Sequence, residues 1–325
     1  MHREHMSAAK ARRSGGRTLS WDILCRLLLR SLGLVWLVIC AALPGARAAS
    51  TISPVDRHAY AANVGWIDAR ADGDNGARVG EFTCSGFLYS ANVGWINLGG
   101  GAPTNGVFYQ NRSAADFGVN RDSLGRLTGF AWGANIGWLI FTNRTATGAL
   151  TDPPKVDLLT GRFSGFAYAP NVGWITLSNL FAHVKTDSLA PGADSDGDGM
   201  PDDWELSQVG SLSLMTATTN SDGDPASDLE EYLADTDPLI AGDELRITEL
   251  ASSDDGAHST ITWTTRPTRV YHLQERPDLV PVSAWRESSL GRIPPDPGAT
   301  TTRTFTGSST TWRYFRIQAA PPLLP

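Results

Sequence analysis

One short motif recurs four times in the first half of the chain, and this repetition constrains the fold more than any other feature. The motif is Asn-(Val/Ile)-Gly-Trp-(Ile/Leu), with an aromatic residue three positions before each Asn. Its four copies are centred on Asn63, Asn92, Asn135 and Asn171, which lie 29, 43 and 36 residues apart. Repeats of this length are typical of folds in which copies of one supersecondary unit pack against each other.

Each copy of the motif has the pattern of a β-hairpin. Bulky and small residues alternate on both sides of the Asn, as they do in half-buried strands. The short segment between them is typical of a tight turn, in which Asn tolerates a positive φ. Copies three and four add a hairpin before the motif, with turns at Gly125 and Gly161, so a complete unit is predicted to hold about three strands. Four units can close as a small propeller, a prism or a stacked sheet, and the sequence does not choose among them.

The four motif tryptophans, Trp66, Trp95, Trp138 and Trp174, allow two interpretations. As equivalent core residues they each bury a large apolar area, and the Asn is a turn residue or a hydrogen-bond clamp. As a binding face they form a ring of sugar-stacking aromatics, and the Asn side chains contact hydroxyl groups. The sequence favours the core, because a symmetric core requires repetition at constant register. On that interpretation Trp138→Ala costs about 3–5 kcal/mol.

Over residues 56–180 the repeats are similar to the Gly-Tyr-Ala-Trp…Asn-Ile-Gly-Trp-Ile repeats of bacterial exported proteins. This resemblance implies export and a β-repeat fold, and it implies no particular chemistry.

Residues 1–48 have the pattern of a signal peptide. An Arg-rich segment precedes an apolar run over 32–43, and Ala46 and Ala48 fit positions −3 and −1 of a cleavage site after Ala48. The apolar run is shorter than the roughly 20 residues that a spanning helix needs, and an uncleaved anchor is the alternative. We therefore expect an exported protein in the periplasm, on the cell surface or in the medium, with no membrane span in the mature chain.

Cysteine usage follows from this cleavage. Two of the three cysteines leave with the signal peptide, and only Cys84 remains, so the mature chain has no internal disulfide. The alternating apolar run around Cys84 predicts a packed small residue rather than a nucleophile.

Charge concentrates in one segment. From Asp194 to Asp255 there are eighteen acidic residues and one basic residue, Arg246. A field of that sign repels phosphate groups, which excludes nucleic acid as a partner, and it attracts metal cations.

Residues 194–205, the first acidic loop, match the calcium-loop pattern D-x-D-x-D-G-x5-E. Calcium prefers six to eight oxygen ligands, and a loop that curls around the ion presents every second side chain to it. Gly199 permits the sharp turn. The predicted ligands are the carboxylates of Asp194, Asp196 and Asp198, the backbone carbonyl of Met200, Asp202 directly or through water, and both oxygens of Glu205.

Residues 220–231, the second acidic loop, place oxygen donors at the same positions. Pro225 stands where the pattern has Gly, which predicts a distorted or weaker site. Ser227 and Glu230 form a capping box that predicts a helix over 228–234. For both loops the alternative is a solvated acidic linker. The predicted ligands are Asn220, Asp222, Asp224, the carbonyl of Ala226, Asp228 and Glu231.

Residues 194–238 resemble thrombospondin type 3 and dockerin-like calcium repeats. The shared features are Asp-x-Asp-Gly-Asp-Gly, a helix only after the loop, and the Glu-Tyr-Leu-Ala-x-Thr-Asp-Pro ending at 231–238. The resemblance implies a structural calcium module rather than a calcium sensor, with Ca²⁺ as the bound ion.

The last part of the chain, 243–325, contains six alternating segments typical of strands, and it is similar to the fibronectin-like β-sandwiches of bacterial exported proteins. No His-Glu-x-x-His, Gly-x-Ser-x-Gly or phosphate-loop motif occurs, so we predict no catalytic residue. Glycosidase chemistry from a chance pair of carboxylates is a third, less favoured interpretation.

The sequence as a whole predicts a mainly β, multidomain protein. Its parts are a signal peptide (1–48), a four-copy β-repeat domain (49–186), a short helical EF-hand-like calcium module (187–242) and a C-terminal β-sandwich (243–325). The predicted function is that of an exported, non-enzymatic, structural or adhesion-type protein in which calcium rigidifies the joint between two β domains. The alternative is a carbohydrate-binding protein that uses the Trp/Asn repeat face. Beyond calcium ions, an extracellular polysaccharide or a cell-surface protein is the open choice of partner.

Overall fold

The computed structural model describes residues 49–142, 153–253, 258–278, 280, 284–306 and 314–323. The predicted signal peptide, 1–48, lies outside the described residues. The described chain is mainly β, as predicted, and contains two short helices.

The described elements are fourteen strands, then two helices, then six further strands. The first fourteen strands are β1 (Ile52–Ala61), β2 (Gly65–Asp68), β3 (Arg78–Val79), β4 (Cys84–Ser85), β5 (Phe87–Ser90), β6 (Gly94–Asn97), β7 (Val119–Arg121), β8 (Leu127–Gly133), β9 (Gly137–Ile140), β10 (Lys155–Val156), β11 (Phe163–Ser164), β12 (Phe166–Ala169), β13 (Gly173–Thr176) and β14 (Val184–Thr186). Two helices follow, α1 (Asp202–Val209) and α2 (Asp228–Ala234). The last strands are β15 (Ile247–Ser252), β16 (His258–Thr264), β17 (Val270–Arg276), β18 (Arg286–Ile293), β19 (Thr300–Thr306) and β20 (Tyr314–Ala320).

The four motif copies form a closed barrel. Each copy is one antiparallel hairpin: β1–β2, β5–β6, β8–β9 and β12–β13. Neighbouring hairpins pair along seams, β2 with β5, β6 with β8 and β9 with β12, and β13 returns to pair with β1. Eight antiparallel strands therefore close on themselves, which leaves no exposed sheet edge. The sequence left open whether the repeats close, and the closed barrel is none of the three arrangements that it suggested.

The additional strands form a second ring of short hairpins at one end of the barrel. Its members are β3–β4, β7 with the first part of β8, β10–β11, and β14 with the first part of β1. The hairpins predicted around Gly125 and Gly161 are confirmed. Gly161 has a φ of 76°, and a Cβ there would lie 1.9 Å from the carbonyl oxygen of Thr186, so this turn requires glycine.

The barrel interior is filled by the residue that follows each Trp and by alanines on the facing strands. Ile67, Ile96, Leu139 and Ile175 are at most 2% exposed, whereas the four motif tryptophans face outward and are 40 to 57% exposed. The prediction that the tryptophans form the core was therefore wrong. Adjacent residues of a strand point to opposite faces, and an eight-stranded barrel is only wide enough for side chains of modest size.

The repeated Asn clamps neighbouring hairpins together. The Nδ2 of Asn92 donates to the carbonyl of Val64, 2.9 Å away. The same contact joins Asn135 to Val93, Asn171 to Ile136 and Asn63 to Val172. The clamp interpretation is confirmed, and it closes the ring. The positive φ belongs instead to the following glycines, Gly65, Gly94, Gly137 and Gly173, as in hairpin loops that end in a left-handed residue.

Cys84 is buried in the barrel core, and burial raises the pKa of its thiol to about 12. A protonated, inaccessible thiol is a packing residue, as the sequence predicts.

All six predicted C-terminal strands are present. They form two three-stranded antiparallel sheets, β15-β16-β19 and β18-β17-β20. Side chains of both sheets share one hydrophobic core, which includes Trp263, Tyr271 and Leu273. The likeness to fibronectin-like sandwiches, and the domain boundaries at 186 and 242, stay predictions.

Candidate metal centre

The two acidic loops fold in the same way, each as a turn of backbone that leads into a helix. In the first loop the carboxylate of Asp194 accepts hydrogen bonds from the backbone N–H groups of Gly197 (2.7 Å), Asp198 (3.2 Å) and Gly199 (3.1 Å). Gly197 and Gly199 have φ values of 77° and 97°, which residues with a side chain rarely adopt. The loop therefore curls around its own first carboxylate before α1 begins.

Three carboxylates of the first loop meet. One oxygen from each of Asp194, Asp196 and Asp198 lies within 4.8 Å of the others. Oxygens bound to one calcium ion at roughly 2.3–2.6 Å are at most about 5 Å apart. The spacing of these three oxygens thus suits a common cation.

Glu205, from the first turn of α1, is fully buried next to these aspartates. Neither of its carboxylate oxygens has a hydrogen-bond partner among the described residues, and the same is true of Oδ2 of Asp198. Burial, with further contributions from Asp196 and Asp198, raises the pKa of Glu205 to about 7. A buried carboxylate without a partner is costly, and a cation among these groups removes that cost.

The second loop also brings three carboxylates together in spite of Pro225, but here the glutamate at its twelfth position is one of them. Oxygens of Asp222, Asp224 and Glu231 lie within 4.8 Å of one another. Glu231 is fully buried, and its Oε2 has no hydrogen-bond partner in the described part of the chain. Burial, and then Asp222 and Asp224, raise the pKa of Glu231 to about 8. The expected distortion does not separate these three donors, because the left-handed turn of this loop lies at Gly223, with a φ of 82°.

Two further predicted carboxylate ligands, Asp202 and Asp228, are not members of the two clusters. Asp202 accepts hydrogen bonds from the backbone N–H (2.7 Å) and the hydroxyl (2.6 Å) of Ser195, which ties the ninth loop position to the second. Asp228 makes the same pair of contacts with Ser221. These carboxylates hold the loops in shape, and a water molecule is the route by which they could also reach an ion.

Three other predicted donors have structural contacts of their own. The Oδ1 of Asn220 accepts the N–H of Gly223 at 2.6 Å. Met200 and Ala226, predicted to act through their carbonyls, donate their N–H groups to Asp198 and Asp224. Each of these contacts fixes the local curl of the loop.

Sequence reasoning missed the two serines. Ser195 and Ser221 stand at the same second position of both loops, and that coincidence was the available signal for their role.

The helices that follow the loops share a small core. It is built from Met200, Trp204, Met215 and Tyr232, and Phe82, from the turn between β3 and β4, packs against it. The rings of Trp204 and Tyr232 meet at 5.2 Å between centroids. α2 starts with the predicted capping box of Ser227 and Glu230. The two acidic loops are therefore parts of one module, though its apolar core is only four buried residues.

This module contacts the β structure on both sides. The hydroxyl of Tyr232 donates to Glu81, which follows β3, at 3.1 Å. From the C-terminal sheets, the guanidinium of Arg269 donates to the carbonyls of Leu233 (2.8 Å) and Tyr232 (2.9 Å) at the end of α2. A cation at a helix C-terminus is favourable. Burial raises the pKa of Glu81, and the charges of Arg121 and Arg269 oppose that rise.

Comparison with known proteins adds no family: no family model, no curated protein and no solved structure matches this chain. Within the described residues, no helix is long and apolar enough to cross a membrane.

Proposed function

We propose that the protein is an exported, non-enzymatic, structural or adhesion-type protein whose acidic module binds calcium. In this proposal the ions hold the module between the barrel and the C-terminal sheets and so stiffen the joint between them. One observation carries it: Glu205 is buried within the electrostatic reach of the clustered aspartates, and neither of its carboxylate oxygens has a hydrogen-bond partner among the described residues. Such a group is stable only when it is protonated or when a cation lies beside it.

The donor chemistry favours calcium over other cations. All the clustered donors are carboxylate oxygens, which suit hard cations and not the soft metals that thiolates prefer. Among the hard cations, calcium accepts irregular shells of six to eight oxygens, whereas magnesium demands a tight octahedron. By the standard of extracellular modules, the dissociation constant is on the order of 10⁻⁴–10⁻³ M.

The test is a calcium titration of the purified protein with heat and thermal unfolding as readouts. At 100 times the dissociation constant, one ion stabilises the folded state by about 2.7 kcal/mol. Glu205→Gln keeps the shape of the side chain but removes its charge. We expect this variant to be at least as stable as the parent in chelator, because a buried unpaired charge is gone, and to lose the calcium response of the first loop.

The control is Glu249→Gln, which removes the same charge from an exposed position on β15 and should leave the calcium response unchanged. If the parent protein shows no heat and no change in unfolding with calcium, the acidic segment is a solvated linker and the proposal fails.

A further inference from the structure

The outward face of the barrel carries exposed aromatic pairs that have no role in the barrel core or in the acidic module. Each motif Trp stands directly across its hairpin from a second aromatic residue, with ring centroids 4.8 to 5.0 Å apart. These four pairs form an aromatic belt, in which the partners of the tryptophans are Tyr60, Tyr89, Trp132 and Tyr168.

The barrel does not need these rings for its core. The residue next to each Trp fills the interior, the glycines shape the hairpin turns, and the Asn side chains join neighbouring hairpins. A cross-strand aromatic pair adds some stability to a hairpin, yet leaving four tryptophans 40 to 57% exposed is uncommon in a protein surface that contacts only water. The belt therefore has the properties of a contact surface.

The seams between hairpins add polar groups beside the rings. Tyr60 is paired with Thr176, Tyr89 with Asp68 and Trp132 with Asn97. At three of the four seams an aromatic ring thus lies beside a hydroxyl, a carboxylate or an amide; at the fourth, Tyr168 is paired with Ile140. A ligand that suits this alternation has an apolar face and hydrogen-bonding edges.

The charge of the belt surface further limits the chemical class of its ligand. Among the residues of the belt and their seam partners, Asp68 is the one acid. Its carboxylate lies 3.4 Å from the guanidinium of Arg57. The surface of the belt is thus close to neutral, while the acidic module elsewhere in the chain repels polyanions. This charge distribution disfavours a nucleic acid or an acidic polysaccharide as the ligand. Polar groups also interrupt the aromatic rings, and this makes the belt less suited to a large apolar protein interface.

We propose that the aromatic belt binds a neutral polysaccharide. The C–H faces of its pyranose rings stack on the exposed indole and phenol rings, and the seam side chains contact its hydroxyl groups. Because the four pairs face different directions around a closed barrel, each is a separate contact point. A matrix of many chains gains from several contacts at once, whereas a short soluble oligosaccharide does not.

The experiment is retention of the purified protein on insoluble cellulose and chitin, with bound and free protein quantified at increasing amounts of matrix. A graded series removes one, two, three and four motif tryptophans as Trp→Ala changes. We expect the four-site variant to bind more than about tenfold more weakly and the intermediate variants to fall in steps. The four-site Trp→Tyr variant keeps aromatic faces and should stay within about threefold of the parent.

Three controls separate this proposal from the others. Phe181→Ala removes an aromatic ring that is 90% exposed but lies outside the belt, and it should leave retention unchanged. Chelator should also leave retention unchanged, so that failure of the calcium proposal and failure of this one give different results. Circular dichroism and melting confirm that each variant is folded.

Two results would overturn the proposal. One is a folded parent protein that binds neither matrix. The other is self-association, seen by sedimentation, that the Trp→Ala changes abolish while retention stays the same; the belt would then be an interface between copies of this chain.

Discussion

The barrel and the acidic module differ in the interactions that stabilise their folded structures. The barrel surrounds a continuous apolar core with a closed set of hydrogen-bonded strands and joins each hairpin to the next by an Asn side chain. The module has a core of four buried residues and places two fully buried glutamates beside groups of aspartates. We expect the first region to be stable through its apolar packing, whereas the second collects like charges that only protons or cations relieve.

On the proposed function, one chain thus combines a permanent part, the barrel, with a conditional part, the acidic module. Loss of an ion is expected to loosen the module and to leave the barrel intact. Substitutions, pH and chelation each probe this division, and the largest effect is expected inside the barrel.

The barrel should respond strongly to changes on its inner face and weakly to changes on its outer face. Leu139 is 1% exposed and Trp138 is 40% exposed. Leu139→Ala should cost about 2–5 kcal/mol of unfolding free energy because it leaves a cavity. Trp138→Ala should cost less, about 1–2 kcal/mol, because it removes only outer-face contacts with the rings of Phe117, Phe130 and Trp132. Denaturant unfolding of both variants, in calcium and in chelator, measures this. If Trp138→Ala cost more unfolding free energy than Leu139→Ala, the tryptophan would have to be a core residue.

The module should depend on pH in the absence of calcium. Burial raises the pKa of Glu205 to about 7 and that of Glu231 to about 8, from an ordinary 4.5. An acid with a raised pKa in the folded state contributes its stability fully below its unfolded pKa and loses it as the pH rises through the folded value. In chelator the module should therefore loosen between pH 5 and about pH 8.

Calcium should reverse this trend, because ionised glutamates are then ligands and protons compete with the ion. Limited proteolysis within 194–234 at several pH values, with calcium and with chelator, measures both trends. Faster cleavage at pH 5 than at pH 8 in chelator would contradict the account.

The Asn clamps should make a small contribution to the barrel that does not depend on calcium. Asn135→Ala removes the hydrogen bond to the carbonyl of Val93 across one seam. We expect a loss of about 1 kcal/mol, the usual net worth of such a bond, and the same loss with and without calcium. A loss that appears only in chelator would mean that barrel and module are not independent.

Local signals in the sequence were sufficient for some parts of the fold. The acidic loops place their donors within twelve residues, so spacing alone predicted that Asp194, Asp196 and Asp198 meet. The C-terminal strands were predictable for the same reason, because alternation over five or six residues is a local signal.

Other parts depend on information that a local pattern does not contain. In the Trp-Ile pair both residues are apolar, so the alternation of the strand permits either one to face the core. Ile faces the core because the interior of a closed eight-stranded barrel is too narrow for Trp. Closure itself pairs β13 with β1, at opposite ends of the repeat. The contact between Tyr232 and Glu81 joins residues 151 positions apart, and no motif indicates it.

The most direct test of the division between barrel and module is hydrogen exchange by mass spectrometry on the purified protein, with calcium and with chelator. The account predicts that calcium slows exchange in 194–209 and 220–234, while the strands of the barrel exchange at the same slow rate in both conditions. Equal exchange of the module in both conditions, or loss of protection in the barrel when calcium is removed, would contradict it.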